Sequence, residues 1–489
     1  MAKHKYSNAV VYSEEEQLRT TISKLQQSGH INESIKGLLL ERNQQRIQDQ
    51  SSNNIEERCM HDTFIEPCSC FHFIWKGSQH PIAFIRVLKD CKIQSPGAFC
   101  IYDPVWSEDL LSALIDIFCH FAKKGIYWNT LVLGHHNWEH EAIGSASCFD
   151  CRYTRPLLFI ANALNLFKRF EFWGESRILA NSSAAAGDAT IFSGLELNIR
   201  LEAILLQVSR GMTEGDHQAL TRTLKRSTKL KDLVLRCSDL NHNLLCEGLA
   251  QNTTLLNIDL DFRQPDRENG ALMGMILDAI AKHPKVKKLE LATGHRFGDY
   301  SSELGALVAS SKSLEELALV GCTDKYFLNT DTLLRGLRAT RSLRKLTIVS
   351  SLAGDLIFSK FLRMLQESGC SLQVLSLWYL ISENDLECLH TMPRLSRPVE
   401  VEFHNRDLRI NGSQLKEVLQ CHPEIRMFGG IPNNLEHITD LNWYGRYLLN
   451  KPATPLALWS QVLKNVNHKP SVLYEWLKGP AFAARDGYL

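Results

Sequence analysis

Hydrophobic and polar positions in the middle of the chain repeat as Leu-x-x-Leu-x-Leu, with a period near 29 residues. The clearest copies are Leu314-x-x-Leu317-x-Leu319, Leu343-x-x-Leu346-x-Ile348 and Leu372-x-x-Leu375-x-Leu377, whose first positions lie 29 residues apart (314, 343, 372). Side chains on a strand alternate between faces, so positions 4 and 6 of each copy point to one side and positions 3, 5 and 7 to the other. One such segment is too short to bury its own apolar side. A stack of them shares a continuous core, which predicts a repeat array.

The template extends over weaker copies in both directions. First positions fall at Trp128, Phe167, Leu201, Leu230, Leu255, Val286, Leu314, Leu343, Leu372, Pro398 and Ile425. Between these copies the period changes to that of a helix. Phe358, Phe361, Leu362 and Leu365 follow i, i+3, i+4, i+7, and Leu304, Leu307, Val308 and Leu272, Ile276, Leu277, Ile280 make similar stripes. Thr213-x-x-Asp216 and Ser382-x-x-Asp385 read as capping boxes at helix starts. Each unit is therefore a short strand, a turn and a helix of about three turns, which predicts an α/β fold.

A unit of this length with a full helix resembles the ribonuclease-inhibitor-like leucine-rich-repeat family, and Leu314-Glu-Glu-Leu317-Ala-Leu319-Val-Gly-Cys322 is its most complete match. The resemblance covers roughly residues 128–430. It implies a solenoid, or horseshoe, with parallel strands on a concave face and helices on a convex one. The expected layout is a polar segment at 1–60, partly helical or disordered, an α/β cap at 61–127, an array of about nine to eleven repeats at 128–430, and a helical cap at 431–489. The cap at 61–127 is expected to hold strands at Phe71–Trp75 and Phe99–Ile101 and helices at Pro81–Leu88 and Glu108–Phe121. Within the last segment, Leu441-Asn442-Trp443-Tyr444-Gly445-Arg446 and Pro455-Leu456-Ala457-Leu458-Trp459 are similar to a tail of uncharacterised leucine-rich-repeat proteins of diatom-type algae, a likeness that implies no activity.

Composition narrows the partners. Lys and Arg number 55 against 54 Asp and Glu, a formal charge of +1. Nucleic acid requires a concentrated basic face and an anionic membrane attracts one, so neither is expected as a partner. Met1-Ala2-Lys3-His4-Lys5 runs into Glu14-Glu15-Glu16 without an apolar core, and the stretch Leu110–Phe121 is broken by Asp116 and too short for a bilayer. The 14 cysteines follow no framework, and Cys119, Cys246 and Cys388 sit in apolar segments, as in a reducing compartment. The expectation is a soluble protein of the cytoplasm or nucleus.

Catalytic chemistry finds little support. Cys68-x-Cys70-x-His72, with His61 and His80 nearby, has ligand types that suit zinc but none of its usual spacings. His136 and His140 would share a helical face, yet His135-His136-Asn137-Trp138-Glu139-His140-Glu141 reads better as a polar turn. No phosphate loop, dinucleotide fingerprint or Gly-x-Ser-x-Gly elbow occurs. Neither an enzyme, a metal, a cofactor nor a small-molecule substrate is expected.

The outward strand positions are the expected working surface. Asp232, Arg236, Asn257, Asp259, Asp261, Lys288, Glu290, Glu316, Lys345 and Trp378 are the candidate partner-binding residues, acid-rich in the middle and apolar towards Val374 and Trp378. Tryptophan beside mixed charge suits a protein partner. The primary expectation is a non-catalytic interaction scaffold. Two alternatives follow from weaker likenesses. Asp109-Leu110-Leu111-x-x-Leu114-Ile115-x-Ile117-Phe118 is loosely similar to an F-box helix without its leading Leu-Pro, which would imply a ubiquitin-ligase substrate adaptor. Arg236, Arg263 and Arg296 lie near strand ends, where a Ran-type GTPase activator would place an arginine finger, although Ala483-Ala484-Arg485-Asp486-Gly487 is no acidic tail.

Overall fold

The computed structural model describes residues 70–74, 98–102, 108–134, 151–174, 192, 194–208, 212–237, 240–262, 270–293, 300–321, 330–349, 355–366, 371–378, 383–393, 400–404, 412–422, 425–428 and 435. The chain divides into two compact units, Met1–Thr254 and Leu255–Leu489. The first holds β1 (Cys70–Ile74), β2 (Ala98–Tyr102), α1 (Glu108–Lys124), β3 (Trp128–Gly134), α2 (Cys151–Ala163), β4 (Phe167–Gly174), β5 (Ala203–Val208), α3 (Glu214–Arg226), β6 (Asp232–Cys237) and α4 (His242–Gln251). The second holds β7 (Asn257–Phe262), α5 (Gly270–Ala281), β8 (Lys288–Thr293), α6 (Ser301–Ser310), β9 (Glu316–Val320), α7 (Thr330–Ala339), β10 (Lys345–Val349), α8 (Asp355–Gln366), β11 (Val374–Trp378), α9 (Glu383–Thr391), β12 (Glu400–His404), α10 (Gly412–Cys421) and β13 (Ile425–Phe428). In each unit the strands stand in chain order and every described pairing is parallel. Strand, helix, neighbouring strand is the connection that parallel pairing demands.

The register follows the template. Ala203 lies opposite Asp232, and Lys288, Glu316, Lys345, Val374 and Glu400 pair in succession. Each of these is position 3 of its repeat. From Leu201 to Leu377 the residues at positions 1, 4 and 6 are at most 9% exposed, which puts three rows of aliphatic side chains into the core. Burial of each contributes roughly 1.5–3 kcal/mol. The helices complete the core with Leu220 and Leu224, Leu304, Leu307 and Val308, and Phe361, Leu362 and Leu365, all buried.

Phenylalanine and tryptophan take the leucine positions in the early repeats. Phe167, Phe170 and Phe172 form a Phe-x-x-Phe-x-Phe copy, with Phe192 edge-on to Phe172 at 5.7 Å. Phe99 packs against Phe118 at 5.6 Å and Trp128 at 5.2 Å. The segment expected to close the N-terminal edge supplies β1 and β2, which continue the register through Cys70 opposite Ala98 and Ala98 opposite Thr130. The helix expected over Glu108–Phe121 runs three residues further, to Lys124, and Gly125 with φ +67° ends it as its N–H bonds the Ala122 carbonyl.

One register expectation is corrected. Ile425 pairs with Val401, which is position 4 of its repeat, so Ile425 is not a first position. Ile425 N–H bonds the His422 carbonyl, so β13 comes into register sooner after α10 than the template expects. Residues 1–60, 81–88, 135–141 and 441–489 lie outside the described residues, together with the expectations placed on them.

The turns between helix and strand carry an inter-repeat ladder of their own. Buried Asn198 donates Nδ2 to the carbonyl of Phe167, at the start of β4, at 2.9 Å, and buried Asn252 donates Nδ2 to the carbonyl of Leu224, in the last turn of α3, at 2.7 Å. Hydroxyls immediately before first positions also donate backwards: Thr254 to Leu230, and Ser371 to Leu343, both at 2.8 Å. These bonds satisfy carbonyls that helix ends and turns leave open. At position 2, opposite charges from successive repeats meet within each unit. Lys231 meets Glu202 at 3.2 Å in the first unit, and Lys287 meets Glu315 at 3.0 Å in the second.

The capping box at α3 is formed as expected. Asp216 N–H donates to Thr213 Oγ1 at 3.1 Å and Thr213 N–H to Asp216 Oδ2 at 3.0 Å. Thr213→Ala is expected to weaken α3 by about 1 kcal/mol. Amide hydrogen exchange, which reads local opening, should quicken across Glu214–Leu224 by several-fold and little elsewhere.

His242 opens α4. Burial, then the nearby His217, holds its imidazole below the usual 6.5, and the positive end of the helix adds to the same preference for the neutral form. The unfolded chain therefore takes up this proton first as pH falls. The contribution of His242 is complete above about 6.5 and declines below it. In urea titrations at pH 7.5 and 5.5, His242→Gln is expected to lose less stability on acidification than the parent chain.

Candidate functional site

Alternation along the strands leaves positions 3, 5 and 7 as the outward rows. In the first unit, Arg169, Ala203 and Asp232 form one row, Glu171, Leu205 and Val234 the next, and Trp173, Gln207 and Arg236 the third. Glu171 is the hub of a small network. It accepts from Arg169 Nε at 2.5 Å and from Trp173 Nε1 at 3.2 Å. Asp232 and Arg236 are half-buried at the far side of the same face.

In the second unit, position 3 reads Asn257, Lys288, Glu316, Lys345, Val374, Glu400. Glu316 thus lies between two lysines, and charge in this row is largely answered from within. Position 5 reads Asp259, Glu290, Ala318, Thr347, Ser376, Glu402, and position 7 reads Asp261, Ala292, Val320, Val349, Trp378. Between β7 and β11 these two rows pass from carboxylates to small and apolar side chains, with an indole at position 7 of β11, before Glu402 returns a carboxylate on β12. Trp378 is 41% exposed; with Met275 it makes up the exposed large hydrophobics among the described residues.

Four outward positions are covered after all. Ser376 is 2% exposed, Ala292 4%, Ala203 7% and Leu205 8%, although all belong to the outward rows. Lys345 explains the first, because its Nζ reaches across β11 to Glu402 at 3.9 Å. Small side chains lie low among longer neighbours, so alternation gives direction and not exposure.

Parallel strands in one register, with buried apolar residues at positions 1, 4 and 6 and a helix in each connection described, decide the fold. The chain folds as a leucine-rich-repeat array. No family model matches the chain. A comparison with curated proteins likewise finds no match. Among solved structures it is similar to the leucine-rich repeat-containing protein LegL7 from Legionella pneumophila, at 16% identity and a TM-score of 0.36, over 73% of this chain and 99% of that one.

The other candidates fall in different places. Cys70 and His72 lie in β1, whereas Cys68, His61 and His80 lie outside the described residues, as do His136, His140, Arg263 and Arg296. The helix similar to an F-box is α1. Its Leu110, Leu111, Leu114, Ile115, Ile117 and Phe118 are at most 2% exposed, so the face that the likeness would offer to a ligase core is spent inside the repeat array. Cys119 is buried too, which pushes its thiol up to about 11 and leaves it a small hydrophobe. No described helix is long and apolar enough to cross a membrane.

Proposed function

We propose that this chain is a non-catalytic scaffold that binds a protein partner on the outward face of its strands. The observation that carries the reading is Trp378, a large apolar side chain held exposed at the end of an apolar row on an otherwise alternating face. An indole left open to water costs the free protein solvation that a partner would recover, and tryptophan is the side chain most enriched where binding energy concentrates. The candidate set remains Asp232, Arg236, Asn257, Asp259, Asp261, Lys288, Glu290, Glu316, Lys345 and Trp378. The repeats fit the ribonuclease-inhibitor-like class because full helices alternate with the strands at about 28 residues per unit. In this reading 128–430 is the array, 61–127 and 431–489 flank it, and the protein works in the cytoplasm or nucleus without nucleic acid, membrane or cofactor.

The test is affinity capture from the source cells with the native chain and a form reversed at Asp232, Asp259 and Glu316. Selective loss of one partner supports the face as the site. An identical set of captured proteins would place binding in the flanking segments.

A further inference from the structure

Within the second unit, positions 5 and 7 give the face a direction. At β7 and β8, Asp259 stands opposite Glu290, with Asp261 two residues further along its strand. This end of the face therefore carries three carboxylates, beside an apolar row. Four strand steps away, the row from Asp261 closes on Trp378 by way of Ala292, Val320 and Val349. Neighbouring strands lie about 4.8 Å apart, so the row advances one side chain per about 4.8 Å across the strands.

That spacing selects a shape. A helix laid across the strands presents one side chain per turn, about every 5.4 Å, close to the strand spacing. An extended segment presents same-face side chains about every 6.6 Å and drifts out of step within two strands. We propose that the face of β7 to β11 receives an amphipathic helix of a partner protein. Its apolar stripe lies over Val320, Val349 and Trp378, and its Lys or Arg residues lie over Asp259, Asp261 and Glu290. The row is about 19 Å long, which corresponds to about 13 helical residues. This proposal rests on the reading of the strand face as a binding surface and adds the class of partner.

A display selection of random 18-residue peptides on the intact chain tests it, with counter-selection on an Asp259→Lys, Trp378→Ala form whose thermal unfolding is first shown to match the parent. The expected outcome is enrichment of peptides with apolar residues at i, i+3 or i+4, and i+7 and basic residues at one end. Their affinity should fall at least tenfold on the variant chain, and helix-breaking proline in mid-peptide should abolish binding. Enriched peptides that alternate, are rich in proline or are acidic, yet still depend on Trp378, would overturn the helix while leaving the face as a binding surface. No enrichment over the counter-selected chain would overturn both.

Discussion

Replacing Gly336 by alanine is expected to lower the stability of the second unit by about 3 kcal/mol, the reverse of what helix propensity predicts. In an open helix, alanine is favoured over glycine by about 1 kcal/mol. Here α6 and α7 pass too closely for a side chain. A Cβ on Gly336 would collide with the Gly305 carbonyl oxygen and lie 2.8 Å from Gly305 Cα, and a Cβ on Gly305 would lie 2.8 Å from the Thr332 carbonyl oxygen. These are backbone atoms, so relief requires the helices to separate and the leucines beneath them, Leu304, Leu307, Leu333 and Leu337, to lose packing. The melting transition of the unit should fall by about 5–10 °C. Gly274→Ala is the control. Its Cβ would meet the Glu303 side chain at 3.1 Å, and that exposed chain has room to swing away. Gly274→Ala should therefore be neutral or stabilising by up to about 1 kcal/mol, and equal losses at the two sites would refute the close-approach account.

On the strand face, Trp378→Ala should weaken the captured partner by about 2 kcal/mol or more, roughly 30-fold in Kd, with no loss of folding stability. The indole is exposed, so truncation leaves no cavity. Among the charge reversals, Asp259→Lys is the cleanest. It sets a cation opposite Glu290 on the neighbouring strand, while a basic partner loses its complement. Glu316→Lys is less clean because it makes a row of three cations with Lys288 and Lys345. Isothermal titration of each single variant against the identified partner, with thermal melts alongside, separates these effects. Undiminished affinity in both Trp378→Ala and Asp259→Lys would remove this face from consideration.

Repeat length, the strand register from β5 to β12 and the α3 cap were all legible in the sequence because each depends on side chains a few residues apart. Leucines at positions 1, 4 and 6 act through local alternation, and Thr213 and Asp216 are three residues apart. What was missed acts between repeats. Gly305 and Gly336 look like weak points in two separate helices until the helices are stacked. The hydroxyls of Thr254 and Ser371, and the opposite charges at position 2, acquire meaning only when one repeat lies on the next. Ile425 was misplaced for a related reason, since its register is fixed by pairing with Val401 on the strand before it. The outward rows were identified correctly as rows, but the depth of Ser376 depended on Lys345, a residue one strand away.

The charges at position 2 bear on how such a chain can grow. Lys168, Glu202 and Lys231 succeed one another in the first unit, and Lys287, Glu315 and Arg344 in the second. Within either run, copying a single repeat or deleting the middle one would set like beside like, whereas copying two neighbours together would keep opposites adjacent. Each such contact is worth only a few tenths of a kcal/mol at an exposed site. Within these runs a pair of repeats, and not one, is therefore the unit whose duplication preserves the pairing.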